Sequence, residues 1–400
     1  MSSNYKKLGD YIQPVNERNK DLKVETLLGV SIQKILMPSI ANTVGTNMKT
    51  YKIIKKNQFA YGPVTSRNGD KISIALLQEF DEAIISQAYT VFEVVDTKKL
   101  HPEYLMMWFR RPEFDRYARF KSHGSARETF DWDELCEVEL PIPSIEKQQE
   151  IVKEYNTVTK RIKLNEQINQ KLEETAQALY KHWFVDFEFP NKEGKPYKSS
   201  GGEMVYNEEL DKEIPVGWSV ERLSNITKIT MGQSPSGESY NEDRIGKIFY
   251  QGRTDFGFRV PTIRTYTTEP KRMAKKGDIL MSVRAPVGDL NIASSDCCIG
   301  RGLASIRSVE PSYTFYLMRN FKNLFDSNKG TGTIFSSINK DELFDLKVVY
   351  HNRNAIIFNS QVKNIDDLII RNCEEIETLQ KLQSLLLAKM TKVEETTKIY

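Results

Sequence analysis

From Ile151 the apolar positions advance in alternating steps of four and three: Ile151, Tyr155, Val158 and Ile162, then Leu172, Ala176, Leu179 and Trp183, with Asn165 and Asn169 in the same phase between them. A second run near the end of the chain does the same: Phe358, Val362, Ile365, Ile369, Ile376, Leu379, Leu386 and Met390, with Asn372 and Gln383 in phase. This spacing, kept over about four heptads, draws one narrow stripe along a helix, the seam of a coiled coil. Pro141 and Pro143 block an earlier start, Ser144 supplies an N-cap, and no glycine or proline interrupts residues 144–189 or 354–400. The pattern predicts two long helices, over residues 145–185 and 354–400, that bury their stripes on each other. A buried asparagine costs stability but fixes register. If the helices pair antiparallel their middles coincide, and the amides of Asn165, Asn169 and Asn372 bond across the seam.

Each helical run follows a block of different character. Short β-type runs, such as YTVFEVV (89–95) and DILMSV (278–283), alternate with Gly, Pro, Ser and Asn turns. The blocks are related. DELCEVELPIP (133–143) returns as DELFDLKVVYH (341–351). Upstream, residues 55–75 parallel 275–293, HPEYLMMWFR (101–110) parallels PSYTFYLMRN (311–320) as a short amphipathic helix, and HGSARETF (123–130) parallels KGTGTIFSSI (329–338). Such duplication predicts two similar α+β domains, residues 1–144 and 214–353, joined by long helices that pair as an antiparallel coiled coil with pseudo-twofold symmetry. Residues 186–213, rich in Gly, Pro, Lys and Glu with no sustained period, read as a linker over the surface.

Composition narrows the function. Apolar residues make up 39% and charged residues 28% of the chain, enough for real cores, and no apolar run approaches the ~18 residues of a membrane span. With no signal-peptide pattern and no CxxC among Cys136, Cys297, Cys298 and Cys373, a reducing cytoplasmic setting without a zinc site is expected. Net charge is +3 but uneven: residues 1–145 hold 20 Lys and Arg against 19 Asp and Glu, whereas 214–353 hold 20 against 14, eleven of the cations being Arg. Neither block resembles a strongly basic DNA-coating protein. No phosphate loop GxxxxGK[ST] occurs. One nuclease-like string, Asp186 followed by Glu193-Gly194-Lys195, lies in the linker, outside any predicted sheet where such acids would share a metal.

The arrangement resembles the specificity subunit of type I restriction-modification enzymes over nearly the whole chain. The resemblance rests on PIPSIEKQQEIV (141–152), with Gln148 and Ile151 opening the first helix, on ALYKHWFVDFEFP (178–190), GKPYKSSGGEM (194–204) and IPVGWSVERL (214–223) between the halves, and on GDIL (277–280) within the second domain. Two departures stand out: VVYHNRNAIIF lacks the proline pair and the glutamine, and NQFA (57–60) stands where the second copy has GDIL. The resemblance implies that each domain reads one half of a split DNA site, and that the helices set the spacing and recruit partners. Those partners are two methyltransferase subunits that use S-adenosylmethionine to methylate adenine, with restriction and motor subunits driven by ATP and Mg2+. The chain itself is then non-catalytic and binds no cofactor or metal; the (N/D)PP(Y/F) tetrapeptide of such methyltransferases is absent.

Length is compatible with that reading. A helix over residues 145–184 is roughly 60 Å long, and one turn of B-DNA is about 34–36 Å. Base reading needs forks and amides on exposed loops. The candidates are Ser66, Arg67, Asn68, Gln87, His123, Ser125 and Arg127 in the first domain, and Gln251, Arg253, Arg284, Arg301, Lys329, Thr331 and Thr333 in the second. Arg67 and Arg284 fall in the same loop of the repeat, as do Gln87 and Arg301. Two rivals stand beside this reading. One is a non-catalytic coiled-coil adaptor whose two ligand-binding domains are not specific for DNA; the other is a self-sufficient nuclease or methyltransferase.

Overall fold

The computed structural model describes residues 5–39, 46–66, 68–69, 71–123, 128–327 and 337–392. The chain divides into two compact units, Met1–Ile162 with Thr378–Tyr400, and Lys163–Glu377.

In the first unit the elements are β1 (Tyr5–Lys7), β2 (Ile12–Val15), β3 (Leu27–Val30), β4 (Leu36–Pro38), β5 (Lys52–Lys55), β6 (Phe59–Tyr61), β7 (Ile74–Leu76), β8 (Glu82–Ile85) and β9 (Thr90–Val94), then α1 (Pro102–Phe109), α2 (Pro112–Lys121), α3 (Trp132–Cys136), β10 (Glu139–Pro141) and the start of α4 (Ile145–Phe184). They build two four-stranded sheets, ordered β2-β9-β6-β7 and β4-β3-β8-β5, with β3 parallel to β8; β1 pairs with β10. Strand β6 joins the layers. Phe59 and Tyr61 enter a core with Phe92, Tyr104 and Phe109, while Ala60 between them faces Leu28, Ile54 and Ile85. A strand buried on both faces has no polar alternation to show. Helix α1 departs from the amphipathic helix expected from the sequence: Pro102 and every residue from Tyr104 to Phe109 are buried. Gln148, 0% exposed, pins the start of α4 to the start of α1, its Oε1 accepting from His101 N at 2.8 Å and its Nε2 donating to the Lys99 and Pro143 carbonyls, each at 2.8 Å.

The second unit begins within α4 and continues through β11 (Met204–Asn207), β12 (Lys212–Pro215), β13 (Ser219–Arg222), α5 (Leu223–Ile226), β14 (Lys228–Met231), β15 (Tyr240–Asn241), β16 (Lys247–Tyr250), β17 (Thr265–Thr267) and β18 (Met273–Ala274). It is completed by β19 (Ile279–Ser282), β20 (Leu290–Ile292), β21 (Cys297–Ile299), β22 (Leu303–Arg307), α6 (Pro311–Ser327), α7 (Lys340–Phe344), β23 (Lys347–Tyr350) and most of α8 (Asn352–Lys389). The sheets β14-β22-β19-β20 and β17-β16-β21-β18 repeat the first unit strand for strand, with β15 added beside β17 and β16 parallel to β21. At the start of α6, Asn359 Oδ1 accepts from Ser312 N at 2.9 Å, doing there what Gln148 does for α1.

The NQFA and GDIL segments, which differ in sequence, prove to be the same turn. Asn57 and Gly277 both take positive φ, 66° and 87°, which asparagine and glycine tolerate best. In the next position Gln58 Oε1 accepts from Lys55 N at 2.8 Å, and Asp278 Oδ2 from Lys275 N at 2.8 Å. Each side chain then reaches the same neighbouring strand: Gln58 Nε2 donates to Glu93 at 2.9 Å, and Asp278 accepts from Arg307 Nε at 2.6 Å. Burial alone would raise the Asp278 carboxyl, but Arg307, the Lys275 amide and Ser305 Oγ outweigh it and hold it below the usual carboxylate range. A depressed acid stabilises the fold above its unfolded pKa of about 4, and that stabilisation is lost as pH falls through its lower folded value. Asp278→Asn is therefore expected to cost about 2 kcal/mol at pH 7, with the gap from wild type closing in urea titrations below about pH 4.

Residues 186–213 are not a bare surface linker. Phe187 and Phe189 are buried against Trp218, with ring centroids 5.6 and 4.9 Å from it, and β11 pairs with β12 as a hairpin. Two aromatic side chains on alternate residues carry enough apolar area to hold the segment down despite its polar composition.

The long helices run antiparallel in each unit, since higher positions on α4 meet lower ones on α8. In the first unit Val152 and Tyr155 share a core with Leu387 and Met390, and Gln383 Nε2 donates to Thr159 Oγ1 at 2.8 Å. In the second, Phe358 packs edge-on against Tyr180, Trp183 and Phe184, and Asn372 Nδ2 donates to Asn169 Oδ1 at 2.8 Å. Asn165 is buried, but its Nδ2 has no partner among the described residues. Val158, Ile162, Val362 and Ile369 are buried as the stripe predicts, whereas Ile376 and Leu379 are only half-buried. The strict heptad phase slips elsewhere: Val152, Glu173, Tyr180, Asp366 and Leu387 are buried, with Ile151, Leu172, Leu179, Ile365 and Leu386 half-buried beside them. A straight helix turns once per 3.6 residues, not 3.5, so a heptad stripe drifts about 20° per heptad and neighbouring positions can share the burial.

Candidate nucleic-acid interface

In the second unit the strand pairing gathers four loops at one end of the sheets. Met231 lies opposite Ala304, Tyr250 opposite Ile299 and Ser282 opposite Leu303, so the chain leaves β14, β16, β19 and β21 on the same side. Backbone bonds stitch the loops together: Gln233 N to the Ile299 carbonyl at 2.9 Å, Gly300 N to Tyr250 at 2.8 Å, Gly302 N to Gln251 at 3.3 Å and Val283 N to Gly302 at 3.0 Å. The approach is too close for a side chain at two points. A Cβ at Gly232 would sit 2.1 Å from the Gly300 oxygen, and one at Gly300 would sit 2.9 Å from Gln251 Cα. From this platform Gln251, Arg253, Arg284 and Arg301 project, all exposed. Arg253 is tied to Asp289 at 2.5 Å. Arg284 and Arg301 make no side-chain ion pair among the described residues, and the Arg301 amide is steadied by Ser234 Oγ at 3.2 Å.

The first unit has the same end with a different lining. Tyr61 lies opposite Thr90, Lys52 opposite Ile85 and Val15 opposite Val91, so the β6–β7 and β8–β9 loops emerge together. Bridges from Thr129 to Val64 and to His123 bring His123 onto the same face, and Thr65 Oγ1 donates to Ser122 Oγ at 3.0 Å. Ser66 and Gln87 are exposed at loop tips. Asn68 is partly buried, its Nδ2 donating to the Val64 carbonyl at 3.2 Å and Ser73 Oγ at 3.1 Å, so its amide shapes the loop. His123 Nε2 lies 3.8 Å from Glu134. Arg67, Ser125, Arg127, Lys329, Thr331 and Thr333 lie outside the described residues.

Every described candidate thus falls at the loop end of its own unit. Among the described candidates the first end presents Ser66, Gln87 and His123, and the second presents Gln251, Arg253 and the guanidiniums of Arg284 and Arg301. Arg forks suit guanine edges and Gln amides suit adenine, and rigid sheet ends hold such loops in place. Sequence reasoning missed the loop after β14, where Gln233 is exposed and Ser234 supports Arg301; its Gly-Gln-Ser-Pro-Ser composition was the available signal. Elsewhere Asp186 pairs with Lys181 at 3.4 Å and Glu193 with Lys195 at 2.9 Å. Among the described residues no group of three or more His, Cys, Asp or Glu is placed to hold a metal ion, and no helix is long and apolar enough to cross a membrane.

Comparison with known proteins agrees with the repeated architecture. Residues 6–174 match the family model described as the type I restriction modification DNA specificity domain. The MjaIX specificity subunit of a type I restriction enzyme from Methanocaldococcus jannaschii is 31% identical over 72% of this chain and 68% of its own length. A second relative from that organism, named for the MjaX specificity subunit, is 34% identical over 70% of this chain; the match spans 64% of that relative's length, less than two thirds. A crystal structure of the S subunit of a type I restriction-modification system from M. genitalium shares the fold, with a TM-score of 0.56 at 13% identity, covering 98% of this chain and 96% of that one.

Proposed function

Because this chain belongs to the type I restriction-modification DNA specificity family, we propose that it is the subunit that reads a two-part DNA sequence, each unit contacting one part through its strand-end loops. The observation that carries this reading is the loop end itself, built twice on one topology but lined by different side chains. Two readers that differ call for two unlike half-sites. The long helices are the spacer that sets the gap between them. Their exposed faces, with Lys153, Lys160, Lys163 and Lys363, offer docking positions for partners. The chain does no bond-making. Two methyltransferase subunits using S-adenosylmethionine supply methylation, and restriction or motor subunits using ATP and Mg2+ supply cleavage of unmethylated DNA. The complex works in the cytoplasm. The domains of this reading are residues 1–144 and 214–353.

The test is to incubate the chain with its methyltransferase partner and a randomised duplex library, then sequence the methylated sites. Two unlike motifs at a fixed gap are expected; a single uninterrupted motif, or none, overturns the proposal. Arg301→Ala is expected to relax one base position of one motif, costing about 1–3 kcal/mol of discrimination. It should leave the other motif as it was. Binding of the complex should also weaken steeply with salt, as phosphate contacts release counterions.

A further inference from the structure

The β3–β4 loop of the first unit and the β16–β17 loop of the second are equivalent in topology, and each sends one cation back into the fold. In the first unit it is Lys34, whose side chain is 5% exposed. Its Nζ lies 2.8 Å from Asp115 of α2 and donates to the Phe109 carbonyl at the end of α1. In the second it is Arg259, 0% exposed, stacked 4.0 Å over the Phe315 ring. Its guanidinium lies 3.4 Å from Glu173 of α4 and 3.3 Å from Asp366 of α8, and donates to the Tyr316 hydroxyl of α6 at 3.1 Å. Tyr316 donates in turn to Asp366 at 2.8 Å, and Arg319 meets Glu173 at 2.8 Å.

The counter-charges therefore differ in kind. Those of Lys34 belong to helices of the same α+β block, whereas those of Arg259 belong to the two long helices. The Arg259 loop also carries Gln251 and Arg253 at the loop end. We infer that Arg259 is a positioning residue that latches the second unit's recognition loop to the long helices, so that reading by this unit depends through that loop on how α4 and α8 are paired, whereas the matching loop of the first unit, held by Lys34, is latched within its own α+β block. If the fully buried guanidinium left, Asp366 would lose its cation and Glu173 would keep only Arg319, so the loop follows the helices.

This inference rests on the functional reading above, and its test separates the two. Glu173→Gln and Asp366→Asn each remove one counter-charge and keep Arg259; Lys34→Met is the counterpart in the first unit. All are compared with wild type in the full chain. Amide hydrogen exchange is read over residues 251–264, and motif selection from the randomised library is read with the methyltransferase partner. Exchange over 251–264 is expected to rise roughly tenfold or more in Glu173→Gln and Asp366→Asn and to stay unchanged in Lys34→Met. Base preference is expected to relax about tenfold in the motif assigned to the second unit by Arg301→Ala, with the other motif unchanged. Unchanged exchange, or equal weakening of both motifs, overturns the latch. If wild type selects no two-part motif, the functional reading fails, and the exchange result alone decides the latch.

Discussion

Four extra residues in α4 between Ile162 and Lys163, with four more in α8 between Glu377 and Thr378, are expected to shift methylation to a site with the same two motifs and a wider gap. Four residues are about one helical turn, so the seam keeps its face while each helix grows by about 6 Å. That is close to two base pairs at 3.4 Å each. On the original site only one unit can engage at a time, and the loss of joint binding is worth about a hundredfold or more in affinity. Sequencing methylated DNA from the library measures both the motifs and the gap. An unchanged gap preference would remove the spacer role and leave the helices as a scaffold only.

Phe358→Ala is expected to destabilise the second unit by about 3–5 kcal/mol. Phe358 is fully buried and meets Tyr180, Trp183 and Phe184 of α4 and Tyr316 of α6, with centroids between 5.4 and 6.2 Å. Truncation removes one side of every one of these contacts, and rings held by α4 and α6 cannot all collapse into the space. Urea unfolding followed by hydrogen exchange places the loss: amides within 163–377 are expected to open more readily, while those of the first sheet pair, around Phe59 and Phe92, keep their protection. A melting profile indistinguishable from wild type would show that the α4–α8 contact is held elsewhere.

The long helices and the duplicated blocks were legible because they rest on periodicity and on repeated residues, which need no tertiary information. The exact stripe was less legible. Leu172 and Leu179 are the natural apolar choices, yet Glu173 and Tyr180 are buried, because Arg259, distant in sequence, brings the charge that makes a buried Glu173 tolerable. A buried arginine has no signature in composition or spacing. The GDIL and NQFA turns failed to match as letters, because Gly277 with Asp278 and Asn57 with Gln58 solve one geometric problem with different chemistry. The linker was misread for a similar reason: its many polar residues concealed Phe187 and Phe189, whose burial depends on Trp218. The loop candidates were easier, since strand ends and turn residues mark where exposed amides and guanidiniums emerge.

The first unit takes part of its core from the far end of the chain, for Leu387 and Met390 pack with Val152 and Tyr155. During synthesis, residues up to 162 leave the ribosome long before that segment exists; at about 5–20 residues per second the wait is roughly 10–50 s. Meanwhile Val152 and Tyr155 lack the part of their cover that Leu387 and Met390 supply, and that flank of the nascent N-terminal half is open to chaperones and proteases. A premature stop just after the second unit would consequently injure the half of the molecule made first.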